Sequence, residues 1–171
     1  VGKSKKYDFR LNLIDKKKTS LFFKKNNFDY IIHCAANVPG KKKLLTKKEF
    51  IENNLMTKNI SRYSNSKIIF FSSYKVYNDQ ARVGYPYKIH ESKIVNYASS
   101  KIASENLIIN LKNDYLILRL PSIFGEGVSN GLLHNVIKNN YILDKKINEN
   151  WCILDVKRLI NPIEKFINNK L

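Results

Sequence analysis

Glycine is scarce in this chain of 171 residues, with only six. None of them forms the Gly-x-Gly-x-x-Gly pattern that seats a dinucleotide pyrophosphate at a helix N-terminus. The nearest approach is "GEGVSNG", with Gly125, Gly127 and Gly131, whose spacing is one residue too long. The stretch "PSIF" separates it from the apolar run before it, so it reads as a loop. Two cysteines, Cys34 and Cys152, are too few for a disulfide scaffold. Cys34 lies in an apolar, strand-like run and is expected to be a reduced core residue. The three histidines and two cysteines show no metal-ligand spacing, so no metal is expected. His33 and His90 read as core and loop residues. No apolar run is long enough to span a bilayer and no secretory signal pattern is present. A cytoplasmic location with no membrane partner is therefore the expectation.

Acidic residues are also few, 14 against 31 lysines and arginines, for a net charge of +17. The excess gathers near the start, where the first 48 residues hold 14 basic and three acidic side chains. Such a charge invites a nucleic-acid partner. The composition argues against one, because lysine supplies 26 of the basic residues and arginine five, whereas nucleic-acid readers lean on arginine's fork of donors. Lysine, asparagine and isoleucine make up 69 residues, the bias of a genome rich in A and T. The lysines read as a solvated face, and no nucleic acid is expected.

What the chain has is alternation. Dense apolar runs at 29–36, 66–73 and 114–120 have the look of strands buried on both faces. Amphipathic stretches at 16–26, 47–63, 97–113, 131–139 and 155–168 have helical periodicity. Strand–helix alternation predicts an α/β fold with a doubly wound parallel sheet, in which ligands bind beyond the carboxyl ends of the strands. Small or polar residues stand at those ends: Ala35, Ala36 and Asn37, then Ser72 and Ser73, then Pro121 and Ser122.

In "NYASSKIASENL", Tyr97 and Lys101 are four residues apart and share one helical face. An ammonium beside a phenol can pull its pKa below the ordinary value of about 10. Taken alone, two solvated residues on an ordinary helix remain the better reading of this spacing.

The surrounding motifs change that reading. "FDYIIHCAANVPG", "ENNLMTKNI", "IIFFSSYKVY", "YASSK", "LILRLPSIFGEG" and "WCILDVKRLINPIEKF" together resemble, in order, the extended short-chain dehydrogenase/reductase family. This is the NAD-dependent epimerase/dehydratase group that acts on nucleotide sugars. The resemblance implies a Rossmann-type fold, with residues 1–131 as an incomplete NAD(P)-binding domain and 132–171 as the start of a substrate-side region packed on it. The missing first strand, glycine-rich turn and helix are expected upstream of Val1.

The resemblance also implies roles. Tyr97 is the catalytic acid/base, Lys101 lowers its pKa and binds the nicotinamide ribose, and Ser73 hydrogen-bonds the substrate oxygen. Read alone, Ser73 is a strand-end cap. NAD or NADP is the implied cofactor, contacted by Asn12 and Leu13 at the adenine, by Ala35, Ala36 and Asn37 at the first strand's end, by Asn54 at a helix start, by Tyr97 and Lys101, and by Pro121. Tight packing is the alternative for the alanines, and an N-cap or surface position for Asn54. Ser122 is an implied substrate contact, although many members carry asparagine there.

The implied activity is epimerisation or keto-sugar reduction of a nucleotide sugar in surface-polysaccharide biosynthesis. Dehydration is disfavoured, because Tyr74 and Lys75 stand where dehydratases carry an acidic pair. A homodimer is a family-based expectation. The helix after Asn54 is about five residues shorter than usual, and little chain follows the Asp155 segment. A truncated, non-catalytic binding or regulatory module is the alternative.

Overall fold

The computed structural model describes residues 8–38, 44–77, 96–128 and 152–170. The chain divides into two compact units, Val1–Arg119 and Leu120–Leu171.

In the first unit each helix begins at a local capping device. Helix α1 (Lys16–Lys25) starts after Asp15, whose carboxylate accepts from the Lys18 amide. Helix α2 (Lys47–Tyr63) starts at a reciprocal capping box between Thr46 and Glu49. Helix α3 (Tyr97–Leu111) starts at a second box between Asn96 and Ser99. These boxes satisfy backbone N–H groups that the first turn leaves without partners.

Strands β1 (Tyr30–His33), β2 (Lys67–Ser73) and β3 (Tyr115–Leu120) form one sheet in that order. β1 and β2 pair in parallel, with Ile31 opposite Ile68 and His33 opposite Phe70. α2 is the crossover that a parallel pair requires. The core gathers Leu13, Ile60, Ile68, Phe70 and Ile108 from the segment before α1, from α2, β2 and α3. The expected strand–helix alternation, and with it the Rossmann-type fold, is present.

β2 is buried on both faces, with Ile68, Ile69 and Phe70 almost wholly enclosed. β1 departs from that expectation. It ends the strand order, and Ile32 is 51% exposed. Cys34, two residues further along the same side of the backbone, is exposed as well. It is a free thiol at the surface, not the core residue expected from its apolar surroundings.

The second unit contains β4 (Ser122–Phe124) paired in parallel with β5 (Ile153–Asp155). "PSIF" therefore contributes a strand, where the sequence reading put only an interruption. Gly125 follows at φ +124°, and a Cβ there would lie 2.9 Å from Val156 Cγ1, so this turn needs glycine. The helix expected over 155–168 is divided into a 3-10 turn (Val156–Leu159) and helix α4 (Ile160–Ile167). Pro162 sits in the first turn of α4, where a missing N–H costs no helical bond. The helix expected over 131–139 lies outside the described residues.

Candidate active site

The α3 capping box places Tyr97 in the first helical turn and Lys101 one turn later. α3 packs on β2 and on the 3-10 turn (Tyr74–Val76) that follows it. The helix thereby sets the pair against the strand end that carries Ser73. Lys101 is only 4% exposed. Its Nζ donates a 2.7 Å hydrogen bond to the Phe71 carbonyl oxygen and lies 4.6 Å from the Phe70 ring centroid. The same ammonium is 5.7 Å from the centre of the Tyr97 ring.

Burial lowers the Lys101 pKa to about 8, while the charges of Cys34 and Glu105 act in the opposite direction. Burial raises the half-buried Tyr97 phenol above its ordinary value. This is the reverse of the expected lowering. Burial thus disfavours the charged form of each group, and Lys101 spends its shortest contact on a backbone carbonyl.

Ser73 is buried at the end of β2, and its hydroxyl accepts from the Lys75 amide at 3.3 Å. The capping role is thus present. An accepting hydroxyl still carries its own proton, so capping and substrate contact are compatible.

The loop after β1 is tied to α3 through Asn53, a residue that the sequence reading passed over. Asn53 Oδ1 accepts from the Asn37 amide at 2.6 Å. Its Nδ2 donates to Asn37 O and to Ser100 Oγ, each at 3.0 Å. Asn37 also donates through Nδ2 to Glu52 at 2.8 Å. Ala35, Ala36 and Asn37 are thereby held to the helix turn between Tyr97 and Lys101. Asn54, the expected cofactor residue at a helix start, stands two turns into α2. Thr46 occupies the cap, and Asn54 donates to Phe50 O and accepts from Ser104 Oγ.

Asn53 belongs to a polar seam between α2 and α3. Thr57 Oγ1 lies 3.2 Å from Ser104 Oγ and 3.0 Å from His33 Nε2. His33 is 2% exposed, and burial together with the Lys101 charge lowers its pKa to about 3, so it is neutral. The seam had a sequence signal: Asn53 and Thr57 on one helix, Ser100 and Ser104 on the other, each pair four residues apart.

Asn12 and Leu13 precede α1. Asn12 Oδ1 accepts from the Ile14 amide at 3.1 Å, Leu13 joins the core, and Leu13 O accepts from Asn59 Nδ2 at 2.8 Å. Pro121 and Ser122 lie in the second unit, with Ser122 opening β4 opposite Ile153. A cavity of about 210 Å³ beside the end of β1 is lined by Leu13, Ile32, His33, Cys34, Ala35 and Ile60, among others. A larger one, about 540 Å³, lies at the opposite ends of the strands, near Asp29, Asn65 and Asp114, and contains no expected site residue. Among the described residues, no cluster of three histidine, cysteine or acidic side chains could hold a metal.

The small side chains at 35 and 36, the apolar cavity and the phenol–ammonium pair fit a nicotinamide dinucleotide at the strand ends. The chain contributes no glycine-rich turn for the pyrophosphate. Fold and site together define a Rossmann-type α/β domain bearing a Tyr-x-x-x-Lys helix. A sequence model of the NAD dependent epimerase/dehydratase family matches residues 3–149, and the chain belongs to that family.

Solved structures share the fold. A dTDP-4-dehydrorhamnose reductase from Clostridium acetobutylicum superposes with a TM-score of 0.71 at 20% identity, over 94% of this chain and 59% of that one. The corresponding Bacillus anthracis enzyme, in complex with NADP, gives 0.71 at 22% identity, over 92% and 59%. The Bordetella bronchiseptica enzyme WbmG, in complex with NAD and UDP, gives 0.66 at 17% identity, over 91% and 52%. The chain therefore spans about three-fifths of the length of the first two. No curated protein sequence matches it.

Proposed function

We propose that the protein carrying this chain is an NAD(P)-dependent nucleotide-sugar epimerase or keto-sugar reductase of surface-polysaccharide biosynthesis. The observation that carries the proposal is the Tyr97–Lys101 pair on a helix packed against the strand that ends in Ser73. When bound, the nicotinamide supplies the hydride acceptor or donor. Tyr97 Oη gives or takes the proton of the sugar oxygen. Ser73 Oγ holds that oxygen in place. Lys101, with Ala35, Ala36 and Asn37, binds the cofactor, and Asn53 keeps their loop in register with α3. Residues 132–171 begin the substrate side. The NADP-bound reductase and the NAD- and UDP-bound WbmG support this cofactor and substrate class.

Tyr97→Phe in the protein carrying this chain tests the reading. Turnover of a nucleotide keto-sugar is expected to vanish, while NAD(H) or NADP(H) affinity changes by less than about threefold, since the phenol hydroxyl is asked to supply catalysis rather than binding. Undiminished turnover in the variant sinks the assignment.

A non-catalytic dinucleotide-fold module is the second reading. The raised Tyr97 pKa favours it. It predicts no turnover in the unmodified protein and no measurable affinity for either dinucleotide.

A further inference from the structure

Glu105 lies one helical turn beyond Lys101 on α3 and is 2% exposed. A carboxyl group so enclosed needs partners, and two residues supply them. Arg119 on β3 clasps it through Nε at 3.1 Å and Nη2 at 2.8 Å. Ser72 Oγ, on β2 immediately before Ser73, donates to it at 2.5 Å. Lys101 stands one turn earlier on the same helix, and the charges of Cys34 and Glu105 favour its protonated form.

The other arm of Arg119 reaches the residue that ends the 3-10 turn after Ser73. Its Nη1 donates to Tyr77 Oη at 3.1 Å, and its guanidinium lies 5.2 Å from the Tyr77 ring centroid. Ser73 is thus bracketed along the chain by Ser72 and Tyr77, both anchored to one ion pair. The 3-10 turn that Ser73 caps lies between those anchors. Glu105 and Ser72 are buried, while the Arg119 side chain remains 24% exposed, so the carboxylate is the enclosed member of the ion pair.

We propose that Glu105 is a positioning residue of the active site, acting through Lys101 on one side and through the Ser72–Ser73 strand end on the other. The proposal rests on the reading of Tyr97, Lys101 and Ser73 as the reacting set. Its logic is electrostatic and geometric. Among the described residues, Lys101 faces Tyr97 and Glu105 from its own helix, His33 at the end of β1 and Cys34 just after it, and the Phe70 ring and Phe71 carbonyl from β2. Cys34 and Glu105 both oppose the burial that would otherwise discharge Lys101, and Glu105 does so from one turn along the same helix. Its hydrogen bond to Ser72 sets the backbone from which the Ser73 hydroxyl projects.

The test reads Lys101 directly, without turnover, so its failure is distinct from failure of the Tyr97→Phe experiment. The Lys101 side-chain NMR signal, assigned with Lys101→Arg, is followed against pH in the folded protein. Glu105→Gln preserves size and hydrogen bonding but removes the charge. The Lys101 midpoint is expected to fall by about one pH unit, in the range for a nearby charge. Glu105→Asp, which restores the charge, is expected to recover at least half of that loss. An unchanged midpoint in a folded Glu105→Gln protein overturns the proposal. If that variant does not fold, the unmodified protein decides. Its Glu105 carboxyl carbon signal must show an inflection at the Lys101 midpoint, and a flat signal there overturns the proposal equally.

Discussion

Lys101 Nζ and Phe71 O are joined by a 2.7 Å hydrogen bond that buries an ammonium beneath the site. The lysine's ordinary pKa is 10.5, and burial lowers it to about 8 in the folded chain. Between those values the unfolded chain holds a proton that the folded chain has released. Stability therefore rises with pH across that window, by up to about 1.4 kcal/mol per pH unit. Tyr97 has the opposite sign. Its folded pKa is raised above 10, so above that pH the unfolded chain ionises first and stability falls. Urea unfolding midpoints should climb from pH 8 toward 10. Lys101→Met should remove most of the climb, and a Lys101→Met profile parallel to the native one contradicts the burial of this charge.

His33 produces the acid limb. Its pKa falls from 6.5 to about 3 on folding because the ring is enclosed and Lys101 is near. As pH drops from 6.5 toward 3, the unfolded chain takes up a proton that the folded chain refuses, and stability declines. His33→Gln should be less stable than the native chain at pH 7, since it loses the contact with the Phe70 ring, centroid 5.3 Å away. The gap between the two should narrow steadily toward pH 4. A gap independent of pH would mean that His33 is not held neutral.

Asn53 and Asn54 are neighbours in sequence with different work. Asn53→Ala removes three hydrogen bonds from a buried position and leaves the Asn37 amide without its partner. A loss of about 3 kcal/mol is expected, with faster hydrogen exchange at the Asn37 amide. Asn54→Ala gives up two bonds at a half-buried position and should cost about 1 kcal/mol. Equal losses measured by denaturant titration argue against Asn53 as the tie between the β1 loop and α3.

Ser61 on α2 is enclosed, and its hydroxyl has no hydrogen-bond partner among the described residues. Ser61→Ala removes an uncompensated polar atom and adds a better helix former. The melting temperature should rise by a few degrees, equivalent to roughly 0.5–1 kcal/mol. A fall of similar size would show that the hydroxyl has a partner in solution.

Much of the fold was legible because its causes are local. The capping residues Asp15, Thr46 with Glu49, and Asn96 with Ser99 act within three residues of the backbone groups they satisfy. Helix α2 accordingly has the limits read from the sequence, and α1 and α3 end within two residues of them. The dense apolar runs became β1, β2 and β3, each shorter than its run. Strand pairing stops where the chain turns toward the next helix, a limit that apolarity alone does not mark. β4 was hidden for the same reason: three residues of "PSIF" acquire a strand only through Ile153–Asp155, about thirty positions away.

By itself the sequence determined the order of elements, the family, and the placing of Tyr97 and Lys101 on one helix face, since pattern and periodicity are properties of neighbouring residues. Tertiary structure decided which neighbour does what. It set Asn53 rather than Asn54 against the β1 loop, left Ile32 and Cys34 exposed, and closed Glu105 between Ser72 and Arg119. It also decided the direction in which burial moves the Tyr97 phenol and the Lys101 ammonium. Solvent exclusion and hydrogen-bond partnership depend on groups that segments far apart in the chain bring together, and no local pattern records how much water they remove.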